Sequence, residues 1–307
     1  NAVTRTLYAL GAEILVAGRK LFDWEDTLEA FERELKKRPK AAVFTHVSNV
    51  FGYILPVLDI ANLCKRYRVP FILDASQSAG VFPVDMEKDH IDVVSWDAYP
   101  SWHEEDQIRC AVDAAFNHNY FRSLKHKPFL LMESTPSQVN WKKHNKLKRP
   151  GMHLLSSLQA VAHGSQSVMY FQWRKGRGAA EQFHGAVVDH DGRDDTRVFK
   201  DVTQVGKALE ALQPIYDKEK SPVQACIIYD WSNWWAIEYA QTGQAKNMQY
   251  FDTVCAHYRS LWQLGVSVDF RDERDCTDLS RYQLVICPML FMLKESFANK
   301  LRAFVEA

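Results

Sequence analysis

The stretch of this chain best suited to chemistry is KPFLLMESTPSQVNW, residues 127–141. Phe129 to Met132 form a continuous apolar run, the pattern of a buried parallel strand, and the run ends in the carboxylate of Glu133. In α/β barrels the C-terminal strand ends carry the chemistry, so a Glu at that place is a functional candidate. A helix-capping carboxylate or a surface charge is the plainer alternative. The loop that follows closes on an amide and an indole, Asn140 and Trp141. A second constellation is Glu181 with His184, three apart and on one face if the segment is helical. Such a pair can bind a metal, cap a helix or hydrogen-bond vicinal hydroxyls; with no third ligand in view, metal binding is the weakest of these. Asp97 and Tyr99 stand in SWDAYP, residues 95–100, a polar strand end with an aromatic. Two further strand-end loops are THVSNVFG (45–52) and DASQSAG (74–80). An Asp such as Asp74 beside a Gly-containing loop can pair with the protonated nitrogen of a pyridine-containing cofactor, although ordinary capping explains the same residues.

Strands alternating with helices position these groups. Before Val94 the pattern predicts strands at 12–16, 41–44 and 71–73. A helix at 26–37 carries Leu28, Phe31 and Leu35 on one face, and a second, entered near Pro56, carries Val57, Ile60, Cys64 and Tyr67. A parallel sheet is the natural architecture. Beyond Val94 a helix is expected through Cys110 to Phe121, then the Glu133 strand, a helix at 154–162 and a strand at 168–172. Glu104, Glu105 and Asp106 read as the solvated start of the first of these helices. From Ser221 the strands are expected at 223–230, 266–270 and 284–287. Helices fall at 251–264 and 293–305, and a Trp-rich loop, 231–235, follows the first strand. This is a flavodoxin-like pattern.

Composition narrows the classes. The 38 basic and 38 acidic residues balance, so nothing draws the chain to nucleic acid or an anionic membrane. Nine Trp and twelve Tyr suit sugar rings, though aromatics more often fill cores. Six scattered cysteines without a C-x-x-C pair read as reduced thiols of a cytoplasmic protein. No apolar run reaches membrane-spanning length. The chain begins at Asn1 and stops inside a helical pattern, so it is expected to be a fragment.

Residues 1–94 resemble class V aminotransferases, specifically cysteine desulfurases, on HVSN (46–49), the Leu63-Cys64-Lys65 helix, VPFILDASQSAG (69–80) and IDVV (91–94). The resemblance implies that Asp74 faces the pyridine nitrogen of pyridoxal phosphate and that Gln77 and Asn49 contact its ring hydroxyl. It also demands a Schiff-base lysine shortly after IDVV. Here that strand runs into SWDAYP, and His126-Lys127, the only His-Lys dipeptide, precedes a strand. Covalent pyridoxal phosphate chemistry is therefore not expected.

Residues 95–307 resemble family 42 glycoside hydrolases, the retaining β-galactosidases. The motifs SWDAYP, FLLMESTPSQVNW (129–141), YFQWR (170–174) and EQFH (181–184) occur in the family's order. The resemblance implies Glu133 as nucleophile, Trp141 packed on the sugar, and Glu181 and His184 on galactose hydroxyls, with Asp97 and Tyr99 beside them. It requires no cofactor. A retaining glycosidase also needs a second carboxyl group about 5–5.5 Å away; the family carries it after an Asn, and this chain has no Asn-Glu dipeptide. The expected architecture is a PLP-transferase-type parallel-sheet fragment (1–94), the second half of a (β/α)8 barrel (95–220) and a flavodoxin-like trimerisation domain truncated at Ala307 (221–307). Three readings follow: an incomplete β-galactosidase acting on a β-galactoside, a pyridoxal phosphate enzyme fragment, or a non-catalytic module that assembles as a homotrimer.

Overall fold

The computed structural model describes residues 11–18, 20, 22–48, 53–75, 93–100, 102, 106–216, 223–240, 247–274, 276 and 278–306. The chain divides into two compact units, Asn1–Asp92 and Val93–Ala307.

In the first unit α1 (Trp24–Leu35), β1 (Ala42–Thr45), α2 (Val57–Tyr67) and β2 (Phe71–Asp74) follow one another. Asp23 starts α1 by accepting from the Asp26 N–H at 2.9 Å, satisfying a donor that the helix itself cannot. β1 and β2 pair in parallel, Ala42 opposite Phe71 and Thr45 opposite Asp74. Leu35, Phe44, Ile60 and Cys64 form the centre of their core. The segment 12–16, expected as a strand, is not one. Its alternation supplies β-propensity, but Val16 is 76% exposed and β1 and β2 pair with each other.

Among its described residues the second unit holds two parallel three-stranded sheets. The first runs β3 (Ser95–Asp97), α3 (Gln107–Ser123), β4 (Phe129–Glu133), α4 (Met152–Ala162) and β5 (Ser165–Val168), with strands in the order β3-β4-β5. Consecutive parallel strands joined by helices make a barrel wall. A loop region with a short 3-10 turn (Ala180–Phe183) leads to α5 (Arg197–Tyr216). The second sheet is built from β6 (Ala225–Ile228), α6 (Trp231–Tyr239), α7 (Tyr250–Gln263), β7 (Val268–Arg271), β8 (Leu284–Ile286) and α8 (Glu295–Glu306). Its order β7-β6-β8 is that of the first three strands of a flavodoxin-like sheet.

Helix α3 joins the two sheets. Val112, Ala115 and Phe116 enter the core formed by Ala225, Ile227 and Phe270. Phe121 stacks on Trp96, and His118 packs on Trp96 and Phe129. A helix apolar on both sides belongs between two layers. Polar ties fix it there: Asn119 donates to Tyr258 at 2.9 Å, Arg122 pairs with Asp269 at 3.1 Å, and Ser123 accepts from the Phe270 N–H at 2.9 Å. At its start Asp106 is the N-cap, accepting from the Arg109 N–H; Glu104 and Glu105 lie outside the described residues.

Two expectations need correcting. The strand predicted at 168–172 lies instead at Ser165–Val168. There the ladder shifts register against β4 and the Leu131 N–H is taken by Ser165 Oγ at 3.0 Å. A polar segment thus pairs through its hydroxyl, while the aromatic run after it packs on His153 of α4 and on His184. The Trp-rich stretch predicted as a loop is helix α6: Asp230 caps it, accepting from the Asn233 N–H at 2.7 Å. No described helix is long and apolar enough to cross a membrane.

Candidate functional site

The parallel register of β3 and β4 sets Asp97 opposite Glu133, and the Ala98 N–H donates to the Glu133 carbonyl at 2.8 Å. Two residues past Asp97, Tyr99 turns back and its hydroxyl donates to Glu133 Oε2 at 2.7 Å. Burial, the Glu133 hydrogen bond and the charges of Glu133, Asp97 and Glu181 push the phenol far above its ordinary pKa. Tyr99 is therefore a neutral donor at every working pH, in the field of three carboxylates.

Aromatic rings enclose this pair. Tyr99 meets Trp141 edge-on at 5.0 Å, and His184 lies 5.4 Å from Trp141 and 5.0 Å from Phe171. Trp141 is 55% exposed, a flat apolar face open to solvent, whereas His184 is 1% exposed. His184 Nδ1 lies 2.9 Å from the Gly185 carbonyl, which can only accept, so Nδ1 carries a proton and, in the neutral ring, Nε2 is the acceptor. That Nε2 is buried without a hydrogen-bond partner among the described residues.

Side-chain amides pin the walls. Asn140 Nδ2 donates to the Ala180 carbonyl at 2.8 Å, Gln138 Nε2 to Phe183 at 3.0 Å, and Gln172 Nε2 to Glu181 at 3.0 Å. The 3-10 turn is one turn only, so Glu181 and His184 do not form a helical face: Glu181 is exposed and His184 is buried. Among the described residues no three His, Cys, Asp or Glu side chains are grouped to hold a metal.

Gly185 lets the two loops touch. A Cβ there would lie 2.4 Å from Ser137 Oγ and 2.7 Å from the Gln138 carbonyl oxygen, too close to backbone to be accommodated. Gly185→Ala is expected to push the 134–141 loop away and to destabilise the unit by about 1–3 kcal/mol, read by denaturant unfolding.

In the first unit Asp74 is exposed at the end of β2, and Thr45 Oγ1 donates to its carboxylate at 3.4 Å. Asn49 and Gln77 lie outside the described residues. No lysine occurs between Lys88 and Lys125 in the sequence. An exposed strand-end aspartate without a Schiff-base lysine does not fit a covalently held pyridine cofactor.

The site of the second unit thus unites Asp97, Tyr99, Glu133, Trp141, Glu181 and His184. Sequence reading placed Tyr99 at the sugar without seeing its bond to Glu133, which only the β3–β4 register reveals. It also passed over Gly185, Phe171 and the buried Lys148. The last sits in the basic run KKHNKLKR (142–149), which as a sequence looks like solvated charge.

Residues 64–212 match the β-galactosidase model of glycoside hydrolase family 42, and residues 223–307 match the β-galactosidase trimerisation domain. Residues 6–98 match the class V aminotransferase model, overlapping the first match over 64–98. The β-galactosidase BglY of Alicyclobacillus acidocaldarius is 51% identical over 220 residues, 71% of this chain and 32% of that protein. The β-galactosidase GanA of Bacillus subtilis is 48% identical over 217 residues, 70% of this chain and 32% of that protein. The chain therefore spans about a third of the length of the curated relatives it matches. Among solved structures, the cold-adapted β-galactosidase of Rahnella sp. R3 superposes with a TM-score of 0.69 at 44% identity, covering 81% of this chain and 37% of that one. The architecture of the second unit is accordingly a (β/α) barrel fragment followed by a trimerisation domain. The chemistry of that family needs no organic cofactor. The chain is a composite: residues 64–212 and 223–307 resemble the family 42 glycoside hydrolases and their trimerisation domain, and residues 6–98 resemble the class V aminotransferases.

Proposed function

We propose that residues 95–307 carry the nucleophile half of a retaining β-galactosidase site, with Glu133 as nucleophile. The observation that supports this most is the 2.7 Å hydrogen bond from Tyr99 to a strand-end carboxylate, walled by Trp141 and His184. A carboxylate held by one neutral donor keeps a second oxygen for attack as oxocarbenium character develops at the anomeric carbon. Trp141 offers its exposed face to the C–H side of a galactose ring. The bare Nε2 of His184 and the carboxylates of Glu181 and Asp97 take the hydroxyl protons. The acid/base carboxyl group, about 5–5.5 Å from the nucleophile in such enzymes, is not supplied by an Asn-Glu pair in this sequence. Cleavage of an unactivated galactoside is thus expected to be crippled in this chain.

The same reading assigns 95–220 to the second half of the barrel and 221–307 to a trimerisation domain that forms a homotrimer. It assigns 1–94 to a PLP-transferase-type parallel-sheet fragment without cofactor chemistry. The six free thiols suit the reducing cytoplasm. The test is intact-mass analysis after incubation with a 2-deoxy-2-fluorogalactosyl inactivator bearing an activated leaving group. Such a leaving group needs little acid assistance, so it isolates the nucleophile. One adduct, mapped to Glu133, is the expected outcome; a folded chain that stays unlabelled overturns the reading.

A further inference from the structure

Lys148 closes the loop that starts at Glu133 and carries Trp141, and it does so from a fully buried position, 1% exposed. Its Nζ donates to the Thr135 carbonyl at 2.7 Å, two residues beyond Glu133. Its backbone N–H donates to the Ser137 carbonyl at 3.1 Å, and its own carbonyl accepts from Arg197 Nη2 at 2.8 Å. The groups that face the amine are the Trp102 ring at 5.0 Å, His153 Nδ1 on α4 at 3.5 Å and the Cys110 thiol of α3, while Arg197 of α5 bears on His153. None of these described neighbours is a carboxylate. Burial pushes the amine down to a pKa of about 7.

A buried cation without a carboxylate partner carries a penalty of several kcal/mol. A neutral hydroxyl or amide could hold one loop carbonyl without that penalty, and an aliphatic side chain would fill the space. The penalty is carried two residues from the candidate nucleophile, and perturbed groups concentrate where chemistry is done. The hydrogen bonds described for Lys148 in this loop go to the backbone on either side of the turn, not to Glu133 or the ring-lined face. We propose that Lys148 is a positioning residue, fixing through the Thr135 carbonyl the strand end that presents Glu133, and through Ser137 the start of the loop that presents Trp141. Its effect on rate rests on the reading of Glu133 as nucleophile; its effect on the loop does not. A misplacement of about 1 Å at a reacting group costs on the order of a hundredfold in rate.

The experiment compares the whole chain with Lys148→Met, which keeps the shape and removes the donor and the charge. Three quantities are measured at pH 6: the thermal midpoint, the kinetics of labelling by the fluorogalactosyl inactivator, and amide exchange of the 134–148 segment. Because no carboxylate among the described residues pairs with the ammonium, the variant is expected to melt no lower than wild type. Its maximal labelling rate is expected to fall about tenfold or more with little change in inactivator affinity, and exchange in 134–148 to quicken about tenfold while β4 and β5 stay protected. Lys148→Arg, which restores a cation and a donor, is expected to recover at least part of the protection. Labelling and exchange equal to wild type in Lys148→Met overturn the proposal. So does a loss of labelling that follows a lowered melting point, which would make Lys148 a stability element only. If wild type itself takes no label, it is the glycosidase reading that fails, and the exchange arm alone then decides the role of Lys148.

Discussion

Glu133→Gln is expected to abolish the fluorogalactosyl adduct, lowering labelling roughly a thousandfold or more while leaving the fold intact. The glutamine amide oxygen can still accept from Tyr99, so the 2.7 Å contact that orders the strand end survives the change. What is lost is the carboxylate's capacity to form the covalent bond, and removing a nucleophile costs orders of magnitude where altering a binding contact costs tens. The residue is half-buried at a strand end, so a neutral isostere of the same size should alter stability by no more than about 0.5 kcal/mol. Far-ultraviolet circular dichroism and the melting point check that. Two other carboxylates, Asp97 and Glu181, bear on the same phenol. An adduct that persists in Glu133→Gln and maps to either of them would move the nucleophile to that residue.

Much of this site was legible before the structure because its parts obey local rules. An apolar run that stops at a carboxylate marks a parallel strand and its chemical end, and β4 ends at Glu133. What no local rule supplies is the partner across the sheet. Tyr99 and Glu133 stand 34 positions apart and meet because Asp97 falls opposite Glu133 with a register shift after Trp96. The misread strand has a physical reason too. Hydrophobicity favoured the aromatic run 168–172, yet the residues that pair with β4 are SQSV, whose polarity is absorbed by Ser165 bonds to the backbone of β4 and of Ser167. Tyr170 and Phe171 spend their surface on His153 and His184 instead. Lys148 was illegible for a third reason. Five of the eight residues in its run, Lys148 among them, are Lys or Arg, and only the tertiary fold selects this one for burial.

Three histidines give the second unit a steep acid limit. His118 stacks on Phe129 and meets Trp96 edge-on, His153 packs on Tyr170 beside Lys148, and His163 Nδ1 bonds to Asn119 at 2.8 Å. Burial, reinforced by neighbouring positive charge, pushes their pKa values down to about 3, about 3 and about 4. They are neutral in the fold, whereas in the unfolded chain each takes a proton near pH 6.5. The unfolded state therefore binds more protons below that value. The stability these groups contribute is complete above pH 6.5 and drains away as pH falls toward 4 and 3. By pH 5 each withdraws about 2 kcal/mol, and three withdraw about 6, against a typical total of roughly 5–15 kcal/mol. His118→Phe isolates one of them: among the described residues its Nδ1 has no hydrogen bond to lose, and a phenyl ring can keep the stack on Phe129 and the edge contact with Trp96. In urea unfolding followed by tryptophan fluorescence, the stability of His118→Phe relative to wild type is expected to rise by about 2 kcal/mol between pH 7 and pH 5. A difference that stays constant over that interval would mean that His118 is protonated as readily in the fold as in the open chain, and that the packing around Trp96 tolerates its charge.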